Sequence, residues 1–471
     1  MERFDAVVVG AGAAGSWAAK ELCERGLEVC LVDAGGLASQ SGSGSRLGAK
    51  ARALLGGQRV QAWSGAFDAS TRRLFVDDRR NPYTTERGAP FNWFRGRQVG
   101  GRLHLWLRVC PRLAGDDLRD WPFGPAELAE HYDAVERFLA VEPAPLTPEE
   151  ERFATAVSAS GRGWTVTPSP NAAADPGPLP RAVAAAQATG RLTLRPGLVV
   201  RRVEVDGDGL ATGISAIDVE TRAPVEVRAR TVVLAASTIE TVRLLLLSTS
   251  PAHPAGLGNS SGLLGRGLSD QLLVAVGGPD APGARPGGDE VGLRVAPGDR
   301  PFAVQGAIGR SGWWSLAAEG RMDPQLDNRV TLDPRRRDEW GIPAARIRCV
   351  HSAADRELAA EQAETLRDLA GIGGLEISSA RSALDALVLR LAGRRLQAAD
   401  GLFVPGSAAH ETGGAPLGTV LDPAGRCRDA PNVLVVDGAA FPSGGSQNVT
   451  LTIMALARRA CERLAREIAP R

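Results

Sequence analysis

Phe4-Asp5-Ala6-Val7-Val8-Val9-Gly10-Ala11-Gly12-Ala13-Ala14-Gly15 is the stretch that decides the fold. Phe4 to Val9 is a short, β-branched run that stops at glycine, the pattern of a strand buried on both faces. Ala13 to Arg25 is alanine-rich with helical periodicity, and Leu27 to Val32 is a second strand-like run. Strand, helix and strand in that order make a βαβ unit. Gly10, Gly12 and Gly15 have the spacing G-x-G-x-x-G. The three glycines permit a tight turn, close approach of a pyrophosphate and close helix–strand packing, and the helix N-terminus supplies N–H groups for phosphate. Asp33 ends the second strand 18 residues past Gly15. An acid there accepts hydrogen bonds from ribose hydroxyls and repels a 2′-phosphate. Alone, the pattern also suits a glycine-rich turn in another α/β protein, and it does not separate FAD from NAD.

The far end of the chain makes that separation. Asn432 to Val436 reads as a buried strand ending in Asp437-Gly438, and Ser443 to Asn448 leads into a helix over about Thr450 to Ile468. Ile453, Leu456, Ala457, Ala460, Leu464 and Ile468 fall on one face of it. Nicotinamide dehydrogenases seldom return a last strand and helix to the nucleotide domain, whereas many flavoproteins do. A helix start near Asn448 to Thr450 can face the flavin N1–C2=O edge, where its dipole favours negative charge.

Here several segments resemble one family. Arg97-Gln98-Val99-Gly100-Gly101-Arg102 with Trp106 is similar to the Gly-Gly flavin segment of the glucose–methanol–choline (GMC) oxidoreductases. Asp120-Trp121-Pro122 and His131-Tyr132-Asp133 resemble the family's succeeding segment, and Thr231 to Leu246, with Ala235 and Ala236, resembles a second FAD signature. Gly256 to Gln271 resembles a third, and His410-Glu411-Thr412-Gly413-Gly414 through Asn448 is the strongest match. Within the family the likeness is to bacterial sugar- and glycoside-oxidising and pyranose-oxidase-like members, and it is weakest over residues 276–400.

The resemblance implies FAD, held by Gly10, Gly12, Ala13, Ala14, Gly15, Asp33, Ala34, Gly100, Gly101, His104, Val200, Ala235, Ala236, Asp437, Gly438, Asn448 and Thr450. Val200 stands where the family contacts adenine through its backbone. His410 stands at the catalytic histidine and Asn448 at the second catalytic position. Alcohol oxidation removes a hydroxyl proton and passes a hydride to flavin N5, so a base must lie within hydrogen-bond reach. Neutral imidazole suits that role. The Asn448 amide cannot titrate, but it can anchor the hydroxyl oxygen. Leu105 occupies the position from which a family histidine bonds covalently to flavin, and His104 is one place early, so non-covalent FAD is expected. Val449 replaces a frequent proline before the last helix.

The expected fold is α/β. A discontinuous Rossmann-like FAD domain takes residues 1–120, 185–275 and 405–471. A substrate domain of mixed sheet plus helices takes 121–184 and 276–404. The expected reaction is oxidation of a CH–OH group on a sugar-like, polyol or natural-product substrate, with oxygen or a redox carrier as acceptor. A lyase of the same fold, a non-redox flavin-binding protein and a nicotinamide-linked enzyme are the alternatives.

Composition narrows the classes. The 55 Lys plus Arg against 54 Asp plus Glu give a net charge of +1, which leaves no field to draw nucleic acid or an anionic membrane. Six scattered cysteines without a CxxC pair predict reduced, mostly buried thiols and no structural zinc. Phe4 to Val9 is too short for a signal core, and Thr231 to Leu247 carries Glu240 and Arg243, so a soluble, cytoplasmic protein is expected, monomeric or homo-oligomeric. Elsewhere, helices are predicted near Leu47–Leu55 and over Ala126–Leu139, Ile239–Leu247 and Leu358–Leu369. Strands are predicted over Leu198–Val205, Ala211–Val219 and Val225–Ala235. Residues 166–180 read as a surface loop and 276–300 as a domain junction. Trp63, Trp93, Trp313 and Trp314 suit packing better than sugar stacking. Arg335 to Arg337 suit a solvated loop, and Arg112 suits a structural salt bridge.

Overall fold

The computed structural model describes residues 3–38, 48–49, 52–53, 56–58, 60–113, 115–173, 179–279, 291–310, 312–378 and 401–468. Its main strands are β1 (Arg3–Val9), β2 (Val29–Asp33), β3 (Thr165–Pro168), β4 (Leu192–Pro196), β5 (Leu198–Val205), β6 (Ala211–Asp218), β7 (Pro224–Leu234), β8 (Gln271–Pro279), β9 (Leu293–Ala296), β10 (Phe302–Ala307), β11 (Trp313–Arg321), β12 (Arg329–Arg337), β13 (Pro343–Arg348) and β14 (Ala430–Val435). Its helices are α1 (Ala13–Glu24), α2 (Pro125–Leu139), α3 (Pro148–Ala159), α4 (Arg181–Ala188), α5 (Thr238–Leu247), α6 (Ala353–Ile372) and α7 (Thr450–Ile468).

The N-terminal βαβ unit forms as expected. Ala6 to Val9 are buried in β1, which pairs in parallel with β2 on one side and β7 on the other. β14 extends the sheet in parallel beyond β7, and β4 does so beyond β2. The order β14-β7-β1-β2-β4 therefore joins strands from both ends of the chain. β5 and β6 attach through antiparallel pairing of β6 with β7. The three strands predicted over 198–235 thus form an antiparallel meander, and β7 continues past β6 into the parallel core. α1 and α7 pack together over this sheet. Ala14, Gly15, Ala18 and Ala19 on α1 and Ala455, Ala457, Ala460 and Cys461 on α7 are buried, and such small side chains let two backbones approach closely.

The second sheet is antiparallel, in the order β8-β11-β10-β9-β3. Alternate residues on a strand point to opposite faces. Leu272, whose carbonyl accepts from Gln362 of α6 (3.1 Å), belongs to the helix-covered face. Leu273, Ala275, Gln305, Ala317 and Glu319 belong to the other, which lines a cavity. A small sheet of β12, β13 and Thr84–Thr85 completes the frame.

Arg335 to Arg337 are exposed but end strand β12 instead of forming a loop. Three further expectations change. Residues 276–300 are not simply a junction, because they hold the end of β8 and all of β9, with 280–290 outside the described residues. Residues 166–180 contain β3 and the short strand Pro170–Asn171, with 174–178 outside the described residues. α6 starts five residues early because Ser352 and Asp355 form a capping box. The Ser352 hydroxyl accepts from Asp355 N (3.0 Å), and Asp355 accepts from Ser352 N (2.7 Å). Most of the helix predicted near Leu47–Leu55 lies outside the described residues. All six cysteines are buried, and none forms a disulfide among the described residues. Among the described residues, no helix is long and apolar enough to cross a membrane.

Candidate active site

A cavity of about 590 Å³ lies between the carboxyl ends of the parallel strands and the open face of the antiparallel sheet. Val9, Gly10, Gly12, Ala13 and Ala14 bring the first turn of α1 to its wall. Gly10 is left-handed (φ 98°), and a Cβ there would collide with the Ala235 carbonyl. Gly15 does not reach the wall. A Cβ there would strike the Gly10 carbonyl, so this glycine serves helix–strand packing. Gly12, by contrast, has nothing within 4 Å of its missing Cβ among the described residues. That opening, beside first-turn N–H groups that lack helical acceptors, has the shape and polarity that suit a phosphate. Asp33 accepts from Ala11 N (2.9 Å) and Gly35 N (2.8 Å), and burial pushes its carboxyl up. Ala34, Val200, Ala235, Ala236, Asp437, Gly438 and Thr450 line the same cavity. Asp437 accepts from the Thr241 hydroxyl (2.6 Å) and Ala439 N (3.0 Å), and burial raises it to about 6.

The opposite end is organised around His410. The preceding residue, Ala409, has φ 60°, an unfavourable conformation for a residue with a Cβ. One buried carboxylate holds that loop: Asp270 accepts from Gly406 N (2.6 Å), Ala408 N (3.3 Å) and His410 N (3.0 Å). Burial and the neighbouring Glu411 raise Asp270 to about 7. Arg102 closes the other side, donating to Ala409 O (2.8 Å) and Glu411 Oε2 (2.9 Å).

The contacts of Gln271 fix the imidazole tautomer. Its Nε2 donates to the carbonyls of Gln447 (2.7 Å) and Gly445 (3.3 Å), so its Oε1 is the atom 2.7 Å from His410 Nδ1. An amide oxygen only accepts, so Nδ1 carries the proton and Nε2 presents a lone pair. Asn448 Nδ2 stands 3.4 Å from that Nε2. The Asn448 Oδ1 is buried and has no partner among the described residues. Burial, with Arg102 second, lowers His410 to about 3, so the ring is neutral throughout the usual working range.

Residues 5–275 match the FAD binding domain family, and residues 324–457 match the GMC oxidoreductase family. The chain belongs to the GMC oxidoreductases. Like them, it is an FAD-dependent oxidoreductase acting on CH–OH groups. It is 28% identical to paromamine 6′-oxidase of Streptomyces fradiae, over 99% of this chain and 92% of that protein. It is 27% identical to 6‴-hydroxyparomomycin C oxidase of Streptomyces lividus, again over 99% and 92%. The fold is similar to that of a formate oxidase variant from Aspergillus oryzae, with a TM-score of 0.70, 15% identity and 99% of both chains covered.

For this GMC enzyme, the cavity collects most of the cofactor residues expected from sequence but not all. His104 turns away: its Nε2 lies 2.8 Å from the Val99 carbonyl and its ring packs over Gly100. Leu105 is on the wall, while Gly100 is left-handed (φ 96°) behind it and Gly101 lines the cavity. Trp63 and Trp93 also line it. Arg112 binds Glu136 and Asp133, as a structural salt bridge does. Sequence reasoning missed Asp270 and Gln271, although both close the family-like segment Gly256 to Gln271. It also missed Arg102, Gln305 and Glu319.

Proposed function

We propose that this GMC oxidoreductase oxidises a hydroxyl group on a sugar-like, polyol or natural-product substrate, with His410 as base and Asn448 as anchor. The observation that carries the reading is the fixed His410 tautomer, whose bare Nε2 meets Asn448 Nδ2 in the cavity that holds the nucleotide cradle. The two Streptomyces relatives, named as oxidases of paromamine and of 6‴-hydroxyparomomycin C, support the same reading.

The cradle fits FAD: the open Cα of Gly12, the first turn of α1 and Asp33 would hold its pyrophosphate and ribose, with Asp437 and Gly438 further along. Bound FAD supplies the hydride acceptor. The alcohol oxygen sits between His410 Nε2 and Asn448 Nδ2, donating its proton to the first and accepting from the second. A ring held neutral down to about pH 3 is a weak base. It takes the proton as the hydride leaves, since an alkoxide formed beforehand would be far uphill. Gln271 holds the ring, and the carboxylate of Asp270 holds the strained turn that carries it. The FAD is non-covalent, because Leu105 has no nucleophile and His104 faces away. The division into a discontinuous FAD domain (1–120, 185–275 and 405–471) and a substrate domain (121–184 and 276–404) belongs to the same proposal.

Anaerobic mixing with a panel of sugars and polyols tests the reading. A substrate bleaches the flavin near 450 nm in the wild type, and His410→Ala slows that step by roughly 10²–10⁴-fold while keeping its FAD. Unchanged bleaching in the variant would remove His410 from the chemistry.

A further inference from the structure

The cavity face of the antiparallel sheet is apolar or small at Leu273, Ala275 and Ala317, but not at Gln305 and Glu319. Glu319 is 7% exposed, yet among the described residues no Arg, Lys or His makes an ion pair with it. Its hydrogen bond comes from Gln305 Nε2 to Oε1 (2.9 Å). The Gln305 amide is turned this way because its own Oε1 accepts from Arg294 Nη1 (3.3 Å), and Arg294 also binds the side chain of Gln447. Arg294, beside Gln305 on the same face of the sheet, is thus engaged by two amide oxygens, and one oxygen of Glu319 is left for whatever enters the cavity. Burial, opposed by Arg294 and reinforced by Asp270, raises the carboxyl to about 7. A carboxylate in such a wall is costly until a cation meets it.

We propose that Glu319, oriented by Gln305, binds an ammonium group of the substrate, so that the alcohol oxidised is carried on an amino sugar or a similar amine. This rests on the reading that the His410–Asn448 end receives the hydroxyl. The spacing agrees with it. Glu319 pairs with Leu273 on the neighbouring strand, two residues along from Gln271, the partner of His410. With a rise of about 3.4 Å per residue and about 4.8 Å between strands, the Glu319 and Gln271 Cα atoms stand about 8 Å apart, within the span of a hexose ring and its substituents.

The test is calorimetric titration of the FAD-loaded enzyme at pH 8, where both the carboxylate and most of an amino sugar's ammonium groups are charged. The probes are paromamine and its fully N-acetylated form, which keeps the hydroxyls and loses the charges. The wild type should bind paromamine about tenfold or more tightly than the acetylated form. Glu319→Gln, which retains the bond from Gln305, should abolish that preference and leave the acetylated form unaffected. Glu319→Asp should keep part of it. Equal binding of the two probes by the wild type, no binding of either, or equal weakening of both in Glu319→Gln at unchanged FAD content would overturn the proposal. Should Glu319→Gln not fold, the wild-type pair and Glu319→Asp still decide. Flavin bleaching in the same samples judges the redox reading separately. Paromamine that binds through Glu319 without bleaching leaves the ammonium site standing and removes alcohol oxidation. Bleaching by both probes at equal affinity does the reverse.

Discussion

Replacing Gln271 separates a residue that positions the base from one that merely fills space. Its amide spans three partners: the carbonyls of Gly445 and Gln447 and the Nδ1–H of His410. Gln271→Leu removes all three contacts. A neutral hydrogen bond contributes about 0.5–1.5 kcal/mol net, so losing the tautomer lock alone costs about 2- to 12-fold in rate. Loss of ring orientation adds to this, and the expected fall in the rate of flavin reduction is about 10- to 100-fold, with substrate KM little changed. The two carbonyls left without a donor cost about 1–3 kcal/mol each, so Tm falls as well. Gln271→Glu is the informative partner. It forfeits the bonds to the carbonyls but keeps an acceptor against Nδ1 and brings a negative charge beside the imidazole. That charge favours the imidazolium, so His410 moves up from about 3 and the acid limb of the pH–rate profile rises with it. Stopped-flow flavin reduction from pH 5 to 9 reads both effects. A purely structural Gln271 predicts equal losses in the two variants and no displaced limb, and that result would refute the tautomer argument.

Three further outcomes are expected. Asn448→Ala should lower kcat/KM by about 10- to 100-fold without an altered pH profile, because the lost group anchors and does not titrate; an unchanged kcat/KM counts against the anchor. Denaturation and then ultrafiltration should release the FAD, whereas yellow colour retained with the chain would mean a covalent link that neither His104 nor Leu105 explains. His131, which takes a hydrogen bond from Arg458 (2.6 Å), is lowered from 6.5 to about 4 by burial and then by Arg458. Between those pH values the unfolded chain binds more protons than the native one, so the contribution of His131 is complete above about 6.5 and is lost as pH falls toward 4. The Tm advantage of wild type over His131→Gln should therefore shrink over that window, and a constant difference would contradict the burial argument.

What the sequence revealed and what it hid divide along a physical line. Gly10, Gly12, Gly15, Asp33, His410 and Asn448 are legible because each sits in a short segment whose residue types suit the group proposed to meet it, phosphate, ribose or hydroxyl. Gln271 ends a family-like segment without showing a role there, because its partner His410 lies 139 residues away and only the start of β8 meeting the 406–410 turn joins them. Residues 276–300 looked like a junction because Gly277 and Gly278 imitate a turn. In β8 they answer crowding: a Cβ at Gly277 would press on the Trp314 carbonyl, and one at Gly278 on that of Glu376. Glu319 was hidden for a related reason. Alternation along β11 assigns it a face, but whether that face meets solvent, helix or substrate is decided by α6 covering the opposite side. The proposed base and nucleotide cradle are therefore written locally, as shared chemistry requires. The charge that would select one alcohol over another is written in the register of an antiparallel sheet, which is also the part of the chain where the family resemblance is weakest.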